Sequence, residues 1–287
     1  MKRLIVNADD LGADEARNRG IFEAIRAGAV TSASILANGP ALRETLPEVR
    51  SLGKAQISWG VHLNLSEGTP LSAGLRLLTG SDGCFPGKAK AHGILMRRGD
   101  VKLEEEVERE LKAQIQALRE LGIPISHLDG HQHVHVFPAA ARTAVKAARE
   151  HGIPWVRVPQ EAHPDPGAEP VPDSLSAEAE IFSRLGGEAR SQTREGGVWT
   201  TDHFRGLYLK GRMKAALLEE CLRGLPPGLT ELMVHPGRVP GRPLSTPFSS
   251  FSNADREREL ETLLSKEFRA ALAGNGIVLT PFPEAEN

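Results

Sequence analysis

Cysteine is nearly absent. Two occur in 287 residues, Cys84 and Cys221, far apart and in no CxxC arrangement. That argues against a disulfide framework and a thiolate metal centre. No stretch reaches the roughly 18 consecutive apolar residues of a membrane span. The opening Met1–Lys2–Arg3–Leu4–Ile5–Val6 has too short an apolar run for a signal peptide and meets Asn7, Asp9 and Asp10 at once. Net charge is −2, so no global basic surface awaits nucleic acid or an anionic membrane. No Gly-rich phosphate loop and no internal repeat is found. These absences lead to the expectation of a soluble cytoplasmic protein without membrane or nucleic-acid partners.

What is present is an ordinary globular composition, 40% hydrophobic and 25% charged, long enough to bury a substantial core. Short apolar runs alternate with amphipathic stretches. Leu4–Val6, Thr31–Leu36, Ile57–Leu65, Ser126–Val136, Trp155–Val158, Thr201–Phe204, Leu229–Val234 and Ile277–Thr280 read as strands. Helical periodicity separates them, most clearly in Val101–Leu121, where Val107, Leu111, Ile115 and Leu118 form one stripe. Such alternation predicts an α/β fold: a single irregular (β/α) barrel of parallel strands over residues 1–287. Residues 66–100 and 238–252 are rich in Gly, Ser and Pro and read as loop excursions, the first as a lid. Gly186–Gly187 predicts a break in the helix over 177–194.

The most informative stretch is Ser126–His127–Leu128–Asp129–Gly130–His131–Gln132–His133–Val134–His135–Val136. It holds four of the ten histidines. His127, Asp129, His131, His133 and His135 recur at every second position. In an extended strand they share one face, and a face of imidazoles and carboxylate suits a metal ion.

Other candidates stand where apolar strands stop. These are Asp9 and Asp10, His62, Asp129 and His131, His203, and His235. Barrel enzymes place their chemistry at such strand ends. Asp10, His62 and His131 supply three ligands and leave a position open for water, as hydrolytic metal sites require. His133 and His135 are further candidates for the same ion. Asp9 is left as an unpaired carboxylate able to act as base, and His235 as an acid from another strand. Asp129 would orient a ligand imidazole. His203 and Phe204 could line a substrate site. Asp10 has a structural alternative, capping the helix that follows it.

Four segments carry a resemblance: Leu4–Ile5–Val6–Asn7–Ala8–Asp9–Asp10–Leu11–Gly12, Gly60–Val61–His62–Leu63–Asn64–Leu65, His127–Leu128–Asp129–Gly130–His131–Gln132–His133–Val134–His135, and Glu231–Leu232–Met233–Val234–His235–Pro236–Gly237. In this order they resemble the YdjC-like carbohydrate deacetylases, which include chitooligosaccharide deacetylases and hopanoid-associated deacetylase-like proteins. The resemblance implies a distorted (β/α) barrel that removes acetyl groups from N-acetylated sugars. It implies one divalent metal on Asp10, His62 and His131, and it decides for His131 over His133. It makes Asp9 the base and, more loosely, His235 the acid. Leu11 stands where many members have Phe. The family is described as magnesium-dependent, whereas a His₂Asp set fits zinc or another transition ion better. Rival expectations are a phosphoesterase or other amidohydrolase with two metals about 4 Å apart, or a carbohydrate-binding protein with a structural metal. A homodimer is compatible with a barrel of this size, but no motif specifies one.

Overall fold

The computed structural model describes residues 1–52, 56–164, 169–241, 247–248 and 252–284. The chain opens with β1 (Lys2–Leu11), α1 (Glu15–Arg26), β2 (Ser32–Ile35), α2 (Leu42–Ser51) and β3 (Ser58–Leu63). Next come α3 (Lys88–Leu95), α4 (Val101–Glu120), β4 (Ile125–Gly130), a 3₁₀ stretch His131–Val136, and α5 (Ala141–Glu150). The remainder is β5 (Trp155–Val156), α6 (Asp173–Glu195), β6 (His203–Arg205), α7 (Ala215–Arg223) and β7 (Gly228–Val234). It ends with α8 (Ala254–Leu264), α9 (Lys266–Gly274) and β8 (Ile277–Leu279).

All eight strands pair in parallel, in the order β5-β4-β3-β2-β1-β7-β6. β8 joins the start of β1, Lys2–Leu4, below the point where β2 begins to pair. The sheet curls into an irregular barrel, because side chains from β1, β4 and β7 meet on Arg157, which follows β5. β5 and β6 do not pair; Trp199 fills that gap, bonding to Val156 N and Pro154 O at 2.9 and 2.8 Å.

The barrel interior is layered. Ile5, Trp155, Leu229 and Phe282 form an apolar plug near the start of the strands. His127 stacks on Phe282 at 4.1 Å between ring centroids. Nearer the strand ends the lining turns polar, with Asn7, Ser34, Asp129 and Glu231 all buried. Buried polar groups are tolerable only when bonded or charge-paired. Most of their atoms are: Asn7 Nδ2 and Ser34 Oγ donate within the cluster at 2.5–2.8 Å, while Asn7 Oδ1 and Glu231 Oε2 find no partner among the described residues. The outer helices supply the apolar core, and the α4 stripe Val107, Leu111, Ile115 and Leu118 is fully buried.

Several expectations change. The histidine stretch is not one strand. β4 ends at Gly130, and Gln132 and His133 adopt left-handed φ values of 52° and 57°. The polar period therefore reflects a strand followed by a tight turn, and the histidines do not share a face. The helix over 177–194 is unbroken within α6. Gly186 serves close packing instead: a Cβ there would lie 3.0 Å from the Pro159 carbonyl carbon. Residues 66–100 include α3 and are tied down rather than free as a lid. Glu110 accepts from Leu71 N and Ser72 N, and Glu106 from Arg76 N, Leu77 N and Leu78 N. Of the 238–252 connection, residues 242–246 and 249–251 lie outside the described residues.

Candidate active site

β1 delivers both of its carboxylates to the strand-end face because its end is irregular. Pairing with β2 shifts register between Ala8 and Leu11, and Asp10 takes φ +70°. In regular strand geometry neighbours point to opposite faces; a bulge re-aims one of them. Asp10 does not cap α1. That task falls to Asp14, whose carboxylate accepts from Arg17 N at 2.9 Å.

The three expected ligands converge. Asp10 Oδ1 lies 2.7 Å from His131 Nδ1 and 3.3 Å from His62 Nε2. The two imidazoles stand edge to face at 5.5 Å. Each offers one ring nitrogen to Asp10 and has the other held by a carboxylate. His62 Nδ1 donates to Asp129 Oδ1 at 2.8 Å, and His131 Nε2 to Glu67 Oε2 at 3.0 Å. Metal-ligating histidines characteristically have this kind of partner. One ligand atom from each of Asp10, His62 and His131 lies within 4.8 Å of the others, so the donor set fits a single divalent cation.

The electrostatics support that fit. Burial pushes the Asp10 carboxyl up, but His131 and Arg256 outweigh it and hold Asp10 well below the usual carboxylate range. Burial pushes the His62 imidazole down, but Asp129 and Asp9 pull it up to about 10. The surrounding carboxylates thus favour positive charge at this point.

Asp9 is not unpaired, as its sequence had suggested. Arg157 Nη1 and Nη2 donate to its two oxygens at 2.7 Å each, and Asn7 Nδ2 adds a bond at 2.8 Å. The same guanidinium bonds Asp129 Oδ2 and Glu231 Oε1, each at 2.7 Å. Burial pushes the Glu231 carboxyl up to about 7, against the pull of Arg157. His235 lines the same cavity as Asp9, and its backbone N–H donates to Glu259 Oε2 at 2.6 Å. Its Nδ1 stands 4.0 Å from that oxygen. Burial, helped by Arg256, keeps the His235 imidazole well below its ordinary pKa.

The cavity over these groups has a volume of about 210 Å³. Asp9, Asp10, His62, His131, His133 and His235 all line it. His133 packs on Phe182 at 4.6 Å. Asp129 lies beneath, behind His62. His135 faces away, its Nε2 3.1 Å from Arg157 O. Phe204 is buried under His133 and the Arg157 guanidinium. His203 departs from expectation. It sits at the start of β6, level with Thr230 and far from the strand end, with Nε2 against Pro227 O at 3.1 Å.

Three partners had escaped the sequence reading. Arg157 and Glu231 had a signal: each is a charged residue inside an apolar strand run, which must be paired if buried. Glu67 had a weaker one. Asn64 directly follows β3 and folds the turn, its Oδ1 accepting from Ser66 N and Glu67 N.

Among the described residues, no helix is long and apolar enough to cross a membrane. Comparison with known proteins bears on what this architecture belongs to. A mouse carbohydrate deacetylase is 35% identical over 99% of this chain and 95% of its own length. One from Brevibacillus brevis is 32% identical over 98% of this chain and 99% of its own. The crystal structure of a proposed cellobiose-phosphate cleavage protein from Enterococcus faecalis V583 superimposes with a TM-score of 0.74. It is 25% identical, over 98% of this chain and 97% of that one. The family model described as YdjC-like protein matches residues 3–274, so nearly the whole barrel is accounted for and the chain belongs to the YdjC-like family.

Proposed function

We propose that this protein is a carbohydrate deacetylase that hydrolyses the acetamide of an N-acetylated sugar or glycoconjugate. The whole chain, 1–287, is read as one catalytic domain. The observation that carries this reading is the convergence of Asp10, His62 and His131 beside a second, separately anchored carboxylate, Asp9. Curated relatives that match along nearly their full length are named carbohydrate deacetylases.

Asp10, His62 and His131 would hold one divalent cation. When bound, such an ion acidifies water and polarises the amide carbonyl. Asp9 takes the proton from the attacking water. Arg157 and Asn7 fix both of its oxygens, so it needs no reorganisation before it acts. His235, which lines the same cavity, is assigned proton delivery to the departing amine nitrogen; neutral at rest, it must first take up a proton during turnover. The neighbouring Glu259 carboxyl, raised to about 7 chiefly by burial, stands 4.0 Å from His235 Nδ1 and accepts from its backbone N–H. Asp129 and Glu67 hold the ligand imidazoles in place. His133 and Phe182 offer an imidazole edge and an aromatic face to the sugar.

A two-metal phosphoesterase is disfavoured by Arg157. A second cation on Asp9 and Asp129 would need the place where Nη2 lies, 2.7 Å from each. A structural metal is disfavoured by the open cavity over the ligands. The ligand chemistry favours a transition ion over magnesium. The test is a screen of N-acetylated mono-, di- and oligosaccharides for acetate release, with and without chelator. Chelator-sensitive release is expected; phosphate release from sugar phosphates with no acetate would overturn the reading.

A further inference from the structure

The active cavity has two walls beyond the metal ligands. One is α6, which presents Leu175, Glu178, Ala179 and Phe182. The other is the loop after β6, which presents Leu207 and Lys210. At the rim the walls are tied by an ion pair, Lys210 Nζ to Glu178 Oε1 at 2.7 Å. Deeper down, one residue touches both.

Glu161 follows β5 by five residues. Its backbone is bonded to α6 twice: Glu161 N donates to Ser183 Oγ at 3.1 Å, and Ser183 Oγ donates to Glu161 O at 2.9 Å. Its carboxylate faces the other wall. Leu207 N donates to Glu161 Oε2 at 2.7 Å, and the neighbouring Gly206 and Tyr208 N–H groups favour its charge. A buried carboxylate bonded to a loop N–H, with two further N–H groups nearby, holds the path of the loop.

Leu207, Tyr208 and Leu209 are buried in the main core, so packing anchors the loop as well. The active cavity lies on one side. Among the described residues a second cavity of about 230 Å³, lined by Glu161, Tyr208 and Leu209, lies on the other. With a cavity on each side, the loop's packing is less continuous than that of the strands, and a polar tie adds to it. Gly206 has φ +126° and approaches Met233 so closely that a Cβ would lie 2.5 Å from Met233 O. The loop is thus pinned at its start by backbone contact and immediately afterwards by Glu161. Burial pushes the Glu161 carboxyl up to about 7 against these donors and Arg205, so it is no solvated surface acid.

We propose that Glu161 is a positioning residue for sugar binding, clamping the α6 wall to the 206–210 wall so that Leu207 and Lys210 meet the substrate in register with Phe182. This rests on the deacetylase reading for its substrate, but not for the clamp itself. Glu161→Gln keeps the size and loses one acceptor oxygen; Glu161→Ala loses both.

The experiment pairs hydrogen exchange with steady-state kinetics. In Glu161→Gln, amide exchange at 206–208 should rise about tenfold while β1 and β4 stay protected. KM for an N-acetylated sugar should rise about tenfold, as loss of a bond to a charged group implies, with kcat changed far less. Glu161→Ala should exceed it in both readouts. In a Leu207→Ala background the effect of Glu161→Gln on KM should shrink, since the side chain being positioned is gone. If Glu161→Ala does not fold, Glu161→Gln decides alone. Unchanged exchange at 206–208 overturns the clamp. Additive KM effects with Leu207→Ala, or a fall in kcat alone, overturn the positioning role. Wild-type protein that releases no acetate overturns the deacetylase reading instead, and the exchange measurement still decides the clamp.

Discussion

Arg157 grips Asp9 by both carboxylate oxygens, at 2.7 Å from each of its terminal nitrogens. It also contacts Asp129 and Glu231, so one guanidinium bonds three buried carboxyl groups. Asp129 in turn holds His62. Asp9 and His62 are thereby both positioned through one guanidinium.

Arg157→Ala should leave those carboxyl groups uncompensated and cost about 3–5 kcal/mol, the usual penalty for breaking a buried charge cluster. Arg157→Lys should fold better, because it keeps the charge, but turn over poorly, because an ammonium cannot fork across Asp9. Urea unfolding and acetate release read the two effects. An Arg157→Ala protein as stable as wild type would contradict this role.

Glu67→Gln tests the partner of His131. A carboxamide in place of the carboxylate weakens the bond that fixes the imidazole, and metal affinity should fall about 10–100-fold. Competition against a chromophoric chelator measures it. Unaltered affinity would mean that Glu67 does not orient the ligand.

Metal identity is a separate prediction. Protein purified without added metal should carry close to one equivalent of zinc or another transition ion. Elemental analysis finding stoichiometric magnesium and no transition metal would refute it.

His127 gives a pH dependence. Burial depresses its pKa from 6.5 to about 3. A depressed imidazole contributes stability that is present above pH 6.5 and lost as pH falls towards 3, because the unfolded chain binds the proton first. Its share of the slope approaches about 1.4 kcal/mol per pH unit between those limits. His127→Gln removes that share, so its stability should fall less steeply than wild type as pH drops from 6 to about 4. Parallel curves from urea unfolding would show that His127 does not stay neutral.

Much of this was legible in the residue order. Apolar runs ending in Asp10, His62 and His131 located the strand ends, and the alternation of strands and helices gave the barrel. What misled was periodicity at His127–His135. Alternation marks a face only while the chain stays extended, and Gly130 ends the strand before His131. Pairing was also invisible. Asp9 and Arg157 are separated by 148 positions, and nothing local to either shows that they meet. His203 was placed at the site because it read as standing where a strand stops; pairing with β7 sets it several residues too low.

The most direct measurement compares wild type, chelator-treated wild type and Asp9→Asn for acetate release and bound metal. Wild type should release acetate and carry one metal; the chelated protein should lose both; Asp9→Asn should keep the metal and lose turnover by about 10²-fold or more. Asp9→Asn that retains full activity, or chelated protein freed of metal yet still releasing acetate, would contradict the account.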